Sequence, residues 1–277
     1  MQEKKMNNSA IHICTEPEEE YHVRSRSGEC LSSHMLAKFR EMPYKYWATI
    51  AGKIVEPDRS EYIIGRASHK LILEGQDAFS EEYIVSDGPI NERTGKNYGR
   101  DTKVYQEWLA EQTGQIVTTS EFEEIRLMRE SIENHKEIKE KFFSSSGVPE
   151  AVVRADLEGV RCQIRMDLFI SDVGIIDLKT CRDITFFDYD IRSFGYAFQL
   201  AFYQDVLERY IGRKLPVYII AVDKTPLHVA GYWKLPDSEL EFASRINIAA
   251  IRRLKECRQT GKWPTGFERM QIFNFNK

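Results

Sequence analysis

Apolar and polar residues recur with a helical period in the first part of the chain. Ser32 or Ser33 can cap a helix whose apolar residues follow at helical spacing, and Pro43 ends it. A second predicted helix opens at Gly65 and closes near Gly75. The pattern therefore predicts that this part of the chain is mainly helical.

The region between the early helices and the later strands divides into a loop and a further helical stretch. Residues 86–103 are rich in Gly, Asn and charged side chains, which indicates a long loop. Residues 104–143 are helical in pattern, with a break near Gly114. Long loops in compact domains are usually functional or disordered, so the loop is of interest for function.

Beyond residue 147 the period changes to that of β-strands. Residues 150–180 predict three short strands joined by tight turns at Glu158-Gly159 and Ser171-Asp172. They are followed by a helix of about six turns over 190–212, an apolar strand over 215–223, another strand near 228–235 and a last helix from about Pro236 to Thr260. A strand, a long helix and a second strand in succession imply a crossover between parallel neighbours. We therefore expect an α/β fold with a mixed sheet flanked by helices and a helical N-terminal region.

Length and composition suit a folded domain of this size. The chain has 277 residues, 42% of them hydrophobic, which is enough for a substantial core. The acidic N-terminal residues 1–20 are predicted to form a flexible tail. We expect one domain over 21–277, with a mainly helical part at 21–146 and the sheet core with its flanking helices at 147–277.

Charge and cysteine content exclude several classes of protein. A net charge of −4 argues against a protein that coats nucleic acid by overall basicity, although an enzyme with a local basic lining remains compatible with it. The chain has no run of about 18 apolar residues and no apolar signal segment, so we expect no membrane contact and a cytoplasmic location. A zinc or iron–sulfur site is not expected, because the cysteines are scattered without a CxxC pair; they are Cys14, Cys30, Cys162, Cys181 and Cys257.

Three charged residues interrupt the aliphatic hairpin at Asp167, Asp177 and Lys179. Strand alternation places Asp177 and Lys179 on one face, while Ile176 and Leu178 point to the other face, where the core is expected. Pairing of the two strands brings both carboxylates to the same end of the sheet. Burying such charges without partners costs several kcal/mol, so they need compensation.

Two carboxylates beside a lysine are suited to metal-assisted hydrolysis of a phosphodiester. Oxygen ligands favour Mg²⁺ or Mn²⁺, which neutralises charge on the scissile phosphate, and the ammonium can orient or help deprotonate the attacking water. The spacing leaves an alternative open, namely a surface ion pair between Asp177 and Lys179. An acid-x-Lys triplet is weak evidence by itself, because this chain contains four of them.

The hairpin, Asp167 and the Asp177-x-Lys179 strand together resemble the core of PD-(D/E)xK nucleases. Gln199 and Tyr203 on the following helix match the QxxxY element of the RecB-like branch. Their helical spacing places both on one face, where they can hydrogen-bond DNA or steady the lysine. Without the upstream residues, a half-exposed helix face would be the simpler interpretation of this pair.

The resemblance extends over about residues 19–211 and is collinear with phage-type exodeoxyribonuclease VIII nucleases, the RecE-like family. It is carried by the segments 19–47, 63–75, 88–118 and 149–169. It implies a restriction-endonuclease-like core and Mg²⁺-dependent degradation of linear double-stranded DNA from the 5′ end, which leaves 3′ single strands. A single-strand annealing recombinase as partner, a homo-oligomeric ring and a bacterial or phage-infected cell are further implications.

The resemblance also assigns roles to single residues. It makes Lys179 the catalytic lysine and places Glu150 near a second metal or the water. The ligands that it implies for the metal are His69, Asp167, Asp177 and the backbone carbonyl of Leu178. The chain departs from the family at Met166, which replaces the proline of the motif. That proline has no chemical role, so activity is still expected.

Two other functions are compatible with the same residues. A structure-specific or sequence-specific endonuclease would use the same core but would also cut closed circular DNA. A protein that only binds DNA or a recombination partner would bind tightly without cleavage.

Overall fold

The N-terminal helices begin and end at residues that favour those positions. The computed structural model describes residues 13–54, 60–144 and 146–272. Helix α1 spans Glu18–Arg26, α2 spans Ser33–Glu41 and α3 spans Pro43–Ile50. The Ser32 hydroxyl caps α2 by accepting a hydrogen bond from the Met35 backbone N–H. Pro43 is the first residue of α3. Proline is tolerated there because the first N–H groups of a helix have no acceptor within the helix. The predicted cap and the predicted stop at Pro43 are confirmed.

Helix α4 (Ser60–His69) continues into a π-helical turn (Lys70–Glu74) and then into α5 (Gly75–Glu82). The predicted start at Gly65 is wrong, because Gly65 lies inside α4, and a glycine inside a helix costs only about 1 kcal/mol. The predicted end near Gly75 is confirmed, since Gly75, with a φ of +92°, caps the π-helical turn and separates it from α5. The π-helical turn directly follows His69, and such turns are frequent at functional sites.

Two small sheets lie between α5 and the second half of the chain, and three of their four strands fall in the region predicted as loop and helix. The elements are β1 (Tyr83–Val85), β2 (Ile90–Asn91), β3 (Lys96–Asn97), α6 (Lys103–Ala110) and β4 (Gln115–Val117). β1 pairs in parallel with β4, and β2 pairs with β3 as a short hairpin inside the predicted loop. Strands of two or three residues are too short to produce a periodic pattern, so the sequence did not reveal them.

The predicted helical stretch 104–143 also contains α7 (Thr119–Asn134) and α8 (Lys136–Phe142). A capping box begins α7. The Thr118 hydroxyl accepts from the Glu121 N–H at 3.2 Å, and the Glu121 carboxylate accepts from the Thr118 N–H at 2.8 Å. This cap fixes the point at which the chain turns from β4 into the helix.

A mixed five-stranded sheet forms the centre of the second half of the described chain. In spatial order its strands are β5 (Val148–Leu157), β6 (Val160–Ile170), β7 (Gly174–Cys181), β8 (Val217–Asp223) and β9 (Ala230–Lys234). β7 and β8 run parallel, and the other neighbours are antiparallel. The crossover between β7 and β8 contains a 3₁₀ turn (Ile184–Phe186), α9 (Phe187–Ser193) and α10 (Tyr196–Ile211), and α11 (Asp237–Thr260) follows β9. The predicted α/β fold class is confirmed.

Two glycines set the local geometry of this half. Gly195, with a φ of +68°, separates α9 from α10, whereas the sequence predicted a single six-turn helix. Gly174 begins β7 with a φ of +137°, and a Cβ at this position would lie 2.1 Å from the carbonyl oxygen of Pro216. Only glycine therefore allows the chain before β8 to approach β7 this closely.

Apolar side chains cover both faces of the sheet. One core combines Ile175 and Ile219 with side chains from α2, α10 and α11, and the other combines Ile176 and Leu178 with side chains from α4 and α7. The sequence placed the core on the face of Ile176 and Leu178 only, and this prediction is wrong, because the opposite face also carries a core. Asp177 is also almost completely buried, at 1% exposure. None of the described helices, α11 with its 24 residues included, is apolar over a length that crosses a membrane.

The described end of the predicted N-terminal tail pairs with the sheet. Cys14 forms an antiparallel bridge with Val152, in which the Val152 N–H donates to the Cys14 carbonyl at 2.9 Å. Helix α1 follows four residues later, from Glu18. The predicted boundary at residue 20 is therefore too late, while residues 1–12 lie outside the described part of the chain.

Candidate active site

Three carboxylates occupy neighbouring positions across β5, β6 and β7. The β5–β6 register pairs Pro149 with Leu168 and Ala151 with Met166, which leaves Glu150 and Asp167 opposite each other. The β6–β7 ladder ends at the pair of Leu168 with Ile176, one position before Asp167 and Asp177. The carboxylates therefore lie at a fork where β6 and β7 separate.

The Asp167 side chain takes the place of a strand partner at this fork. Its Oδ2 accepts a hydrogen bond from the Leu178 backbone N–H at 2.7 Å. The ring of His69, the last residue of α4, lies with Nδ1 at 3.6 Å from the same oxygen. The structure therefore brings together Asp167, His69 and Leu178, three of the residues to which the resemblance assigns a role at the metal.

The backbone at Glu150 is strained. Its φ is +51°, in the left-handed region that residues other than glycine rarely adopt. Such a conformation costs roughly 1–3 kcal/mol and persists where surrounding contacts impose it. Burial and the nearby charge of Asp167 raise the pKa of Glu150 to about 8. The fold therefore holds an acidic side chain in a place that is unfavourable for a free carboxylate.

Arg165 and the N-terminal helix support Glu150. Arg165 Nε lies 2.8 Å from Glu150 Oε2, and Arg165 Nη1 lies 3.6 Å from Glu18 Oε2. His22 Nε2 lies 3.1 Å from Glu18 Oε1. This hydrogen bond, together with the charge of Arg165, lowers the pKa of Glu18 to about 2. Helix α1 therefore contributes a fixed negative charge behind Arg165.

Asp177 and Lys179 form a buried ion pair. Lys179 Nζ lies 2.5 Å from Asp177 Oδ2, and both side chains are largely inaccessible, at 17% and 1% exposure. Burial raises the pKa of Asp177 to about 7 in spite of the lysine. Burial lowers the pKa of Lys179, but the charges of Asp177 and Asp167 outweigh it and raise that pKa overall. Lys179 is therefore an ammonium group in this structure, and a surface ion pair is excluded.

Gln199 and Tyr203 lie on α10 beside this pair. Gln199 Nε2 is 3.4 Å from Asp177 Oδ1 and 3.2 Å from the Tyr203 hydroxyl. Burial and the charges of Asp167 and Asp177 raise the pKa of Tyr203, so its hydroxyl keeps its proton. The two side chains thus connect α10 to Asp177, on the face that their helical spacing predicted.

His69, Glu150 and Asp167 are suited to hold a metal ion. Among the described residues they form a group whose ligand atoms all lie within 4.8 Å of one another. Burial lowers the pKa of His69, so the ring is neutral and able to coordinate. Burial and the nearby Asp167 charge raise the pKa of Glu150, and a cation bound between the two carboxylates would relieve their repulsion. Asp177 lies next to this group but not in it, whereas Glu150, which the resemblance placed near a second metal or the water, belongs to it.

Two cavities meet at Tyr21, His22 and Tyr203. The smaller, of about 220 Å³, contains His69, Glu150 and Asp167. The larger, of about 880 Å³, is lined by residues from α1, α2 and α10, among them the cations Arg26, Lys38 and Arg40. None of the described residues that line this cationic cavity is an Asp or Glu. An acidic metal site thus adjoins a cavity suited to a polyanion.

Sequence reasoning missed Glu18, His22 and Arg165. Arg165 had a signal, because strand alternation puts it on the same face as Asp167, two residues away. Glu18 and His22 had none, since an acidic run near the N-terminus is typical of a tail. Only the packing of α1 against β6 brings them to the site.

The fold and this arrangement of carboxylates, histidine and lysine define a metal-dependent nuclease of the PD-(D/E)xK superfamily. The chain belongs to the family described as "PDDEXK-like domain of unknown function (DUF3799)", whose model matches residues 32–275. The resemblance to PD-(D/E)xK nucleases seen in the sequence is thereby confirmed.

One solved structure shares this fold over nearly its whole length. A crystal structure described as "Putative exonuclease" from Eubacterium rectale has 17% sequence identity and a TM-score of 0.66, and the match covers 95% of this chain and 96% of that one. At this identity the match shows the fold alone. A second structure, of SSO0001, has 13% identity and a TM-score of 0.27 over 50% of this chain and 65% of that one. None of the curated proteins is significantly similar to the chain.

Proposed function

We propose that the protein is a Mg²⁺-dependent exodeoxyribonuclease that degrades linear double-stranded DNA from 5′ to 3′. The observation that carries the proposal is the metal group of His69, Glu150 and Asp167 beside the Asp177–Lys179 pair, next to the cationic cavity. The structural likeness to a protein described as an exonuclease supports the choice of an end-dependent enzyme.

The ligands favour a hard divalent cation. His69, Glu150 and Asp167 would hold it, with the Leu178 carbonyl and Asp177 close by. Carboxylate oxygens suit Mg²⁺ or Mn²⁺, and the group found among the described residues contains no cysteine. When bound, the cation neutralises negative charge on the scissile phosphate.

The side chains around the metal group place the reactants. The Lys179 ammonium can donate a hydrogen bond to a phosphate oxygen or to the attacking water. Asp177 holds Lys179 by the 2.5 Å ion pair, and Gln199 holds Asp177 from the other side. Once ionised, the Glu150 carboxylate in the same group can accept a hydrogen bond from the attacking water.

The cationic cavity supports DNA as the substrate. The exposed Arg26 guanidinium, 3.5 Å from Glu19, can contact a phosphodiester backbone, and binding of this kind is independent of sequence. The resemblance to RecE-like nucleases supports a 3′ single-stranded product, a single-strand annealing recombinase that receives it, and a ring of several copies in the cytoplasm of a bacterial or phage-infected cell. These partners and the location are part of the proposal.

Digestion of end-labelled DNA tests the proposal. Linear duplexes labelled at the 5′ or the 3′ end are incubated with and without Mg²⁺, and closed circular DNA of the same sequence is the control. Early release of the 5′ label from linear DNA in Mg²⁺, with intact circles, is expected. Cleaved circles would indicate an endonuclease, and early release of the 3′ label would reverse the polarity.

A further inference from the structure

A row of aromatic rings runs from the core to the surface beside Lys179. Ring centres of Phe187 and Trp233 lie 4.7 Å apart, and Tyr196 lies 6.2 Å from Phe187 and 5.8 Å from Phe194. Lys179 Nζ lies 5.2 Å from the Tyr196 ring centre. Phe187 is fully buried, whereas 66% of Phe194 is exposed. The outermost ring, Phe194, is thus open to solvent and packs against Tyr196, the ring that lies next to the proposed catalytic lysine.

The backbone around Phe194 is well supported. Its N–H donates to the Asp190 carbonyl at 2.9 Å, and the next N–H, of Gly195, donates to the Arg192 carbonyl at 3.2 Å. The Gly195 carbonyl in turn accepts from the Phe198 N–H at 3.0 Å, which starts α10. The exposed ring therefore sits on the fixed junction of α9 and α10.

The ring lies where the cationic cavity opens. Phe194 and Gly195 line this cavity together with Gln199 and Tyr203. Arg26, the most exposed of its cations, has a side chain 63% accessible to solvent and lies 3.5 Å from the exposed carboxylate of Glu19, an ion pair that a phosphate can replace. A strand whose phosphates contact these cations must place its bases elsewhere, and an exposed aromatic ring is a favourable surface for a base.

We propose that Phe194 stacks against a nucleobase of the DNA strand bound in the cationic cavity. This inference rests on the proposed function, since it names how that site holds its substrate. Stacking on an aromatic ring tolerates every base, because each has a π-face, so it suits an enzyme that degrades DNA of any sequence. The base comes either from a single strand or from the frayed end of a duplex.

Equilibrium binding without metal tests the proposal. Fluorescent single-stranded and duplex oligonucleotides are titrated with the full chain in EDTA, so that no cleavage occurs. Base–aromatic stacking typically contributes enough that Phe194→Ala should weaken binding roughly 5- to 150-fold, and Phe194→Trp should restore it. Tyr189→Ala is the matched control, because Tyr189 is 69% exposed on α9 but does not line the cavity.

Abasic nucleotides locate the stacked base. One position is made abasic at a time, and at the stacked position the loss should appear with the wild-type chain but not with Phe194→Ala. If the abasic nucleotide weakens binding only in duplexes, the stacked base comes from a frayed duplex end. If it weakens binding of both substrates, the stacked base comes from a single strand. Binding by Phe194→Ala at wild-type strength, an equal abasic effect in both proteins, or an equal loss in Tyr189→Ala would overturn the proposal.

The two proposals can fail separately. Cleavage of linear DNA by the wild-type chain, together with unchanged binding by Phe194→Ala, rejects the stacking role alone. Phe194-dependent binding with no cleavage in Mg²⁺ or Mn²⁺ rejects the nuclease proposal alone. Unaltered thermal unfolding of Phe194→Ala, expected for an exposed ring, confirms that the variant is folded.

Discussion

Lys179 is a buried ammonium held by Asp177 at the end of β7. Replacing it with alanine removes a donor from the place where charge develops on the phosphate. We expect Lys179→Ala to lower kcat roughly 10²- to 10³-fold. The measurement is single-turnover digestion of linear duplex DNA in Mg²⁺. The control is Lys103→Ala, which changes a lysine on α6 that is 87% exposed and should keep full activity. A fully active Lys179→Ala would contradict the catalytic role of Lys179.

The carboxyl groups at the fork predict a pH dependence of metal binding. Glu150, with a pKa of about 8, and Asp177, with a pKa of about 7, are both protonated more easily than usual because they are buried. A carboxyl must lose its proton to bind a cation. Mn²⁺ affinity, measured by titration calorimetry, should therefore rise with pH until both have ionised, and Glu150→Gln should make this dependence shallower.

The same raised pKa values make folding stability fall with rising pH, whereas metal affinity rises. A group that binds its proton more tightly in the folded state stabilises the fold below its unfolded pKa, and this contribution is lost as the pH rises through the folded pKa. For Glu150 the loss falls between about 4.5 and 8. Urea unfolding of the metal-free chain should show declining stability over this range, and added Mg²⁺ should reverse part of the decline. An unchanged decline in Glu150→Gln would contradict the assignment.

At the scale of elements, the sequence predicted the regular strands and missed the irregular features. The alternating residues of β5 and β6, the apolar run of β8 and the long α11 gave clear periodic signals. The π-helical turn after His69, the separation of α9 from α10 at Gly195 and the pairing of β1 with β4 depend on tertiary contacts, which no local pattern records. The residues of the fork were found because charge interrupts an aliphatic strand, whereas the support from α1 required the fold.

The close approach of Pro216 to Gly174 predicts a strong local constraint on β7 and β8. Gly174→Ala would combine a strained φ with a 2.1 Å contact to a backbone oxygen, so we expect it to lower the free energy of unfolding by at least about 2 kcal/mol. Urea unfolding measures this change. Gly65→Ala is a matched control of opposite sign, because Gly65 lies inside α4 with no atom near a new Cβ, and alanine there should stabilise by up to about 1 kcal/mol.

At the scale of the whole molecule, net charge and local charge have opposite signs. The chain carries −4 overall, while the described lining of the cationic cavity has no carboxylate. DNA binding should therefore weaken steeply with salt in spite of the net negative charge. Arg26→Gln should reduce the slope of log K against log salt by about one. Binding isotherms between about 50 and 200 mM salt measure this slope. An unchanged slope in Arg26→Gln would show that the DNA backbone does not contact Arg26.

The hydrogen bond from the Leu178 N–H to the Asp167 carboxylate joins the backbone of β7 to the chemistry of the site. At this point of the fork β6 supplies no carbonyl to the Leu178 N–H. The Asp167 carboxylate alone therefore protects this amide against exchange with solvent deuterium. The Leu178 amide is thus a built-in spectroscopic reporter. Its exchange rate, followed by NMR, should rise in Asp167→Ala and change when a cation binds, without any substrate or turnover.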